Sequence, residues 1–322
     1  MTRLAGILSA LLLAALVALG ISVALGSVSL SPAQTLATLT GGGEPLHRAL
    51  ILGLRLPRAL AAFATGGLLA VAGALMQVLL RNPLADPYVL GLSGGAAVGA
   101  LASMLLGMGT VLISGSAFAG AMLSTFIVFG LAHGTGSWTP TRLLLTGVVV
   151  AAGWGALISF LLAVSPTEEL PGMLYWLMGD LSHARKIWPA WAVLVIVVLA
   201  AMPLGRSLNV LARGPMQAAA LGVAVRPLEW TLYIVAALVT ATAVTLAGSV
   251  GFVGLIVPHM LRLILGNDQR IILPASALAG GILLTLADTL ARTLIAPQQL
   301  PVGVITAMLG VPVFLYLLHR SR

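Results

Sequence analysis

The chain has 322 residues, 60% of them hydrophobic and 7% charged, with a mean hydropathy of +1.11. A soluble domain carries roughly 25% charged residues, so too little polar surface remains to cover a globule in water, and the chain reads as an integral membrane protein. The net charge of +8 then reports topology and anionic lipid rather than nucleic acid, and the absence of cysteine excludes disulfides, thiolate chemistry and cysteine metal sites.

In chain order, a window of about 20 apolar residues, the length that crosses a hydrocarbon core, marks ten segments. They lie near 4–26, 57–80, 92–107, 112–132, 142–164, 188–204, 229–248, 251–265, 271–295 and 302–318. The first is longer than the roughly 7–15 residues of a signal-peptide core and no small-x-small cleavage site follows, so it is expected to be a span. The third and eighth are short and glycine-bearing, and are expected to be tilted, broken or partly spanning. An even number of spans puts both termini on one side. With the N-terminus inside, the inner segments hold Arg3, Arg81, Arg142, Arg206, Arg213, Arg226, Arg262, Arg270, Arg320 and Arg322. The outer ones hold Arg48, Arg55, Arg58, Arg185, Lys186 and Arg292. That bias places both termini in the cytoplasm. The expected fold is all-α, about ten transmembrane helices in a single transmembrane domain over 1–322.

Two connections are more than linkers. RNPLADPYVLGLSGGAAVGA (81–100) turns the chain, because Pro83 and Pro87 disfavour helix in the residues before them. Gly91, Gly94, Gly95 and Gly99, with Ser93, Ala96 and Ala97, then begin a helix with a nearly side-chain-free face. Such a face either packs closely on another helix or lines a passage. The inner connection 205–228 reads as two short helices, Leu208 to Ala212 and Met216 to Leu221. Pro215 stands at the first helical position and Gly222 at the stop. It is either a docking surface beneath the membrane or an interfacial loop.

Chemistry on the chain is sparse. Lys186 is the lone lysine and no G-x-x-x-x-G-K-[ST] surrounds it, so no Walker loop is present. His47, His133, His183, His259 and His319 are scattered, with no H-E-x-x-H pair to hold a metal. No G-x-S-x-G elbow appears. Asp288 lies in an apolar run, where a charge costs about 2.5–3.5 kcal/mol on insertion scales. Arg292 follows four residues on and can pair with it along one helix face, as a structural or gating pair rather than a proton relay. His259, beside Pro258, is expected to close a helix or bond a freed carbonyl rather than to ligate haem. Arg55 and Arg58 stand three apart on one face, with Pro57 near a first turn. With Arg292 they put positive charge on the outer side, either as lipid-snorkelling anchors or as a docking patch.

GALMQVLLRNPLADPYVLGLSGGAAVGA (73–100) resembles the permease subunits of ATP-binding-cassette importers for iron-siderophores, haem and cobalamin. The resemblance continues in LRLPRALA (54–61), YWLMGDLS (175–182), LARGPMQAAALG (211–222), GSVGFVGLIVPHMLRL (248–263), LADTLAR (286–292) and LPVGVITAMLGVPVFLYLL (300–318). It covers nearly the whole chain, in order.

The resemblance implies a homodimer of ten-helix subunits in the inner membrane, with one path on the two-fold axis. Two ATPase subunits carrying ATP and magnesium would dock inside, and a periplasmic binding protein outside. This chain itself would hold no cofactor and do no catalysis. The inner gate would comprise Asn82 and Leu84 with Thr139, Pro140 and Thr141, although relatives place small hydroxyl residues where Pro140 stands. Coupling to the ATPase would fall on 208–222, including Leu211, Gly214, Pro215, Ala218, Leu221 and Gly222. Relatives commonly carry an acidic residue at the place of Pro215. Arg55, Arg58 and Arg292 would meet acidic residues of the binding protein. An ATP-independent secondary transporter or channel is the alternative, and would need an ion-coupling or filter site at mid-membrane.

Overall fold

A computed structural model describes residues 2–26, 28, 30–133, 139–182, 184 and 186–320, and among them every regular element is helical. In order these are α1 (Thr2–Ala24), α2 (Pro32–Leu39), α3 (Pro45–Leu50), a π segment (Ile51–Arg55), α4 (Leu56–Leu79), a 3₁₀ turn (Pro87–Leu90), α5 (Leu92–Leu105), α6 (Thr110–His133) and α7 (Pro140–Val164). There follow α8 (Leu170–Leu177), α9 (Trp188–Leu211), α10 (Pro215–Ala220), α11 (Val225–Ala247), α12 (Val253–Leu265), α13 (Gln269–Thr293) and α14 (Val302–Arg320).

Seven helical runs are long and apolar enough to cross a membrane, and three shorter apolar helices, α5, α12 and the apolar part of α14, complete the set. At 1.5 Å per residue, α5 and α12 reach only about 20 Å, short of a hydrocarbon core of about 30 Å. The final helix, expected near 302–318, is α14, whose apolar stretch is Val302–Leu317 among the described residues.

Two boundaries also differ from the sequence reading. The second span does not begin at 57, because helix runs unbroken from Pro45 to Leu79. Pro57 has no N–H for the carbonyl four residues back, and the chain absorbs this by widening into the π segment, where the Leu56 N–H donates to Ile51 O. The predicted short helix at 208–212 is the last turn of α9, which continues through Pro203 to Leu211.

The bundle is built around α4, in which every residue from Ala61 to Leu79 is buried. Its sequence, LPRALAAFATGGLLAVAGALMQVL, is small on several faces, so neighbours approach to backbone contact. A Cβ on Gly66 would strike Gly280 O of α13, and one on Gly73 would strike Gly254 O of α12. α5 packs on α6 the same way, Gly95 against Gly120 and Gly99 against Ser116, while Gly94 lies under Trp154 of α7. The glycines of 91–99 are thus committed to helix packing.

Both half-length helices start inside the bundle and next to each other. Gly91 (φ 69°) swings the chain from the 3₁₀ turn into α5, and Phe252 (φ 69°) does so into α12. The Val250 N–H donates to Tyr88 Oη at 3.1 Å, and Gly254 sits against the Pro87 ring. One hydrogen bond therefore pins the two entry turns together.

Candidate functional site

At the N-terminal end of α4, charge is concentrated within the bundle. Asp288, fully buried on α13, accepts from Arg58 Nε at 3.0 Å, Arg58 Nη2 at 2.9 Å and Arg292 Nε at 3.0 Å. Arg58 Nη1 also donates to Gln299 Oε1 at 2.7 Å. The second guanidinium, 230 positions away in the chain, was invisible to a reading confined to i,i+4 spacing.

Arg55 and Arg58 do not share an exposed face, as the sequence suggested. Arg55 is buried and turns to the end of α1, donating to Val23 O (3.2 Å), Ala24 O (2.9 Å) and Val28 O. Arg292, also buried, donates to Ser22 O (3.1 Å) and Ser22 Oγ (2.9 Å). These carbonyls have no partner within their own helix, so two arginines serve as the C-terminal cap of α1. The cluster ties α1, α4 and α13 together, and its three guanidinium groups outnumber its one carboxylate.

The turn after α4 uses its polar residues locally. Asn82 Oδ1 accepts from the Leu84 N–H (2.9 Å) and Asp86 Oδ1 from the Tyr88 N–H (2.8 Å), so each closes a turn around a proline. Thr139 Oγ1 caps α7 by accepting from the Arg142 N–H (3.2 Å), and Pro140 takes the first helical position. Thr139 and Thr141 are exposed, and no hydrogen bond joins this helix start to Asn82 or Leu84 among the described residues. What brings α7 to the turn is Gly147, which abuts Val89 O. A relay extends the contact: Trp154 Nε1 donates to Ser124 Oγ (2.9 Å), which donates to Gly91 O (2.9 Å). Ser124, Trp154 and Tyr88 were missed from sequence, since none stands out in its own segment.

In the segment 211–222, Gly214 (φ 130°) ends α9 and Pro215 starts α10. The Gly222 N–H then bonds Ala219 O (3.0 Å) and the Val223 N–H bonds Ala218 O (2.9 Å), a Schellman stop with Gly222 at φ 78°. Leu211 and Ala218 are buried and support the segment from within the bundle. The side chains turned outward are Leu221, 70% exposed, and Met216, 85% exposed. Met216 was passed over because the glycines, proline and alanines carried the pattern.

Nearby, Asp268 starts α13 and accepts from Asn209 Nδ2 (2.8 Å) and the Arg270 N–H (3.1 Å). Burial pushes its carboxyl up, but the Asn209 bond, the Arg270 N–H and the Arg270 charge outweigh this and hold it below the usual carboxylate range. His259 lies inside α12 and does not close it, and its Nδ1 is buried without a hydrogen-bond partner among the described residues.

A glycine-packed bundle of helices, seven of them long and apolar enough to cross a membrane, is the architecture of a multi-pass membrane protein. The chain matches the FecCD transport family over residues 12–320 and belongs to it. It is 44% identical over 281 residues to the cobalamin import system permease protein BtuC of Halobacterium salinarum, spanning 86% of this chain and 75% of that protein. It is 40% identical over 321 residues to the hemin transport system permease protein HmuU of Yersinia pestis, spanning 97% and 94%. A metal-chelate type ABC transporter solved in an inward-facing conformation superposes with a TM-score of 0.85 at 29% identity, over 98% of this chain and 99% of that one. The chain is the permease subunit of an ATP-binding-cassette importer.

Proposed function

We propose that the chain works as a homodimer in the inner membrane, crossing it with all ten apolar helices and both termini in the cytoplasm, as one permease domain. It moves a metal chelate (cobalamin, haem or a ferric siderophore) from periplasm to cytoplasm. The work is done by ATP and magnesium on two separate ATPase subunits. The names of the similar permeases support the substrate class, and the bare faces of α7 and α14 support a second copy. The observation that carries the reading is the rigidly capped turn 214–222, which holds Met216 and Leu221 out of the bundle. Segment 205–228 then couples ATPase motion to α9 and α11. The turn at Asn82 and Leu84, with Thr139, Pro140 and Thr141 at the start of α7, closes the inner mouth. At the other end the excess positive charge of Arg55, Arg58 and Arg292 over Asp288 attracts acidic side chains of a periplasmic binding protein, with Arg58 the most accessible of the three.

Coupling is tested with Met216→Glu and Leu221→Glu. Both side chains are exposed, so folding is retained while assembly with the ATPase, read by co-purification, falls at least about tenfold, as for loss of a central apolar anchor. Undiminished assembly refutes the contact, and ATP hydrolysis by the isolated chain refutes the division of labour. Docking is tested by the rate of association with the binding protein against ionic strength. Charge complementarity acts chiefly on encounter, so Arg58→Gln slows association at low salt and flattens the salt dependence. If the two proteins behave alike, Arg58 is purely internal.

A further inference from the structure

A cavity of ≈ 580 Å³ opens beside the end of α4, bounded by Gln77, Arg81, Asn209, Arg213, Arg262 and Asp268. Two buried polar atoms of its lining residues have no hydrogen-bond partner. Gln77, 3% exposed, gives its Nε2 to Leu255 O at 3.1 Å, which fixes the amide and leaves Oε1, an acceptor, unsatisfied. Arg262 gives Nη2 to Ala74 O at 3.2 Å and leaves Nε–H, a donor, unsatisfied. A buried donor or acceptor in this state keeps its full desolvation penalty, so a ligand that satisfies it is favoured. The volume far exceeds the roughly 30 Å³ of one water.

The charge around the cavity is unbalanced. Arg81, Arg213 and Arg262 line it and Arg270 lies beside Asp268, whereas the carboxylates are Asp268 and Glu229, the latter acting on Arg81. Asp268 spends Oδ1 on Asn209 and the Arg270 N–H, and among the described residues no ion pair joins it to the three lining arginines. The site asks for an anion with several acceptor oxygens and one O–H. The oxygens answer Arg81, Arg213 and Arg262 Nε–H, and the O–H answers Gln77 Oε1. A carboxylate or sulfate only accepts and leaves Gln77 orphaned. We propose that this cavity binds a protonated phosphate, either free inorganic phosphate or the headgroup of a phosphatidate lipid. The site is independent of the substrate carried.

The test uses the full chain in detergent and in nanodiscs with and without phosphatidate. In detergent, equilibrium dialysis of labelled phosphate near pH 7 gives saturable binding of one per chain, with sulfate weaker by about tenfold for the missing hydrogen bond. Gln77→Met abolishes the preference for phosphate over sulfate. Arg81→Asn with Arg213→Asn, both at exposed positions and the first compatible with φ 49°, lowers binding about a hundredfold by removing two charge-assisted contacts. If the lipid is the source, native mass spectrometry finds phosphatidate retained by the parent chain and lost from the double variant, and free phosphate competes with it. The proposal is overturned if the parent chain binds phosphate no better than the arginine double variant and both retain phosphatidate equally. Equal binding of phosphate and sulfate by the parent chain overturns the role of Gln77.

Discussion

α4 and α7 are both apolar enough to cross a membrane, yet 94% of the apolar window of one is buried and 6% of the other. The difference is size. α4 carries Gly66, Gly67, Gly73 and a series of alanines, and its neighbours close to backbone contact. α7 carries Leu145, Val148, Val149, Leu157 and Phe160, and these stand exposed, with Leu143 and Gly147 its only buried residues. Lipid tails are as apolar as leucine, so apolarity alone does not bring helices together in a membrane; close packing of small residues does.

The sharpest way to break the comparison is to exchange the sizes. Gly73→Leu sets a Cβ against Gly254 O, with no flexible side chain to move aside. Overpacking of this kind costs about 1–3 kcal/mol and occasionally more; at a helix–helix backbone contact it should exceed that range and abolish recovery of folded protein. Gly153→Leu on α7 meets nothing within 4 Å and should stay within about 0.5 kcal/mol of the parent. Recovery and thermal unfolding in detergent measure both. Equal damage from the two would show that residue size does not sort these helices.

This contrast marks what could be learned from sequence. Ten apolar segments were visible because length and hydropathy depend on the local chain alone, and the structure has apolar helices at all ten, seven of them full length. Gly214-Pro215 and Gly222 were legible as helix punctuation for the same reason, and so was the Asp288–Arg292 spacing. Arg58–Asp288 and Tyr88–Val250 were not, since each joins residues more than a hundred positions apart. Arg55 was misjudged because positive charge near a helix start looks like a surface feature until the end of α1 is brought against it. The boundary at Pro57 failed because proline was treated as a start signal, whereas the π segment carried the helix through it.

The second largest effect tests whether the buried side of the bundle tolerates charge only as a set. Asp288→Asn is nearly isosteric but strands Arg58 and Arg292 against one another near the C-terminal end of α13. Removing one partner of a buried pair costs about 3–5 kcal/mol. Thermal unfolding should fall accordingly, and α1 should lose protection from hydrogen exchange first, because Arg292 also holds Ser22. A loss below about 1 kcal/mol, the range of a surface ion pair, would mean that solvent reaches the cluster.

The smallest effect on the subunit belongs to Val149, 71% exposed near the middle of α7. None of the described residues covers it, so Val149→Ala should alter unfolding of the single subunit by less than about 0.5 kcal/mol. Val149→Trp should be as harmless to the subunit, since lipid accepts a larger apolar side chain. The two variants part if a second copy covers α7. Truncation then leaves a small gap between subunits, while tryptophan forces them apart, and overpacking of about 1–3 kcal/mol lowers the dimer constant by roughly tenfold or more. Native mass spectrometry read beside thermal unfolding separates the levels. A tryptophan that leaves both association and subunit unchanged assigns this face of α7 to lipid, and the exposed side of α14, where Met308, Leu309, Leu315 and Tyr316 stand bare, becomes the next face to test for a second copy.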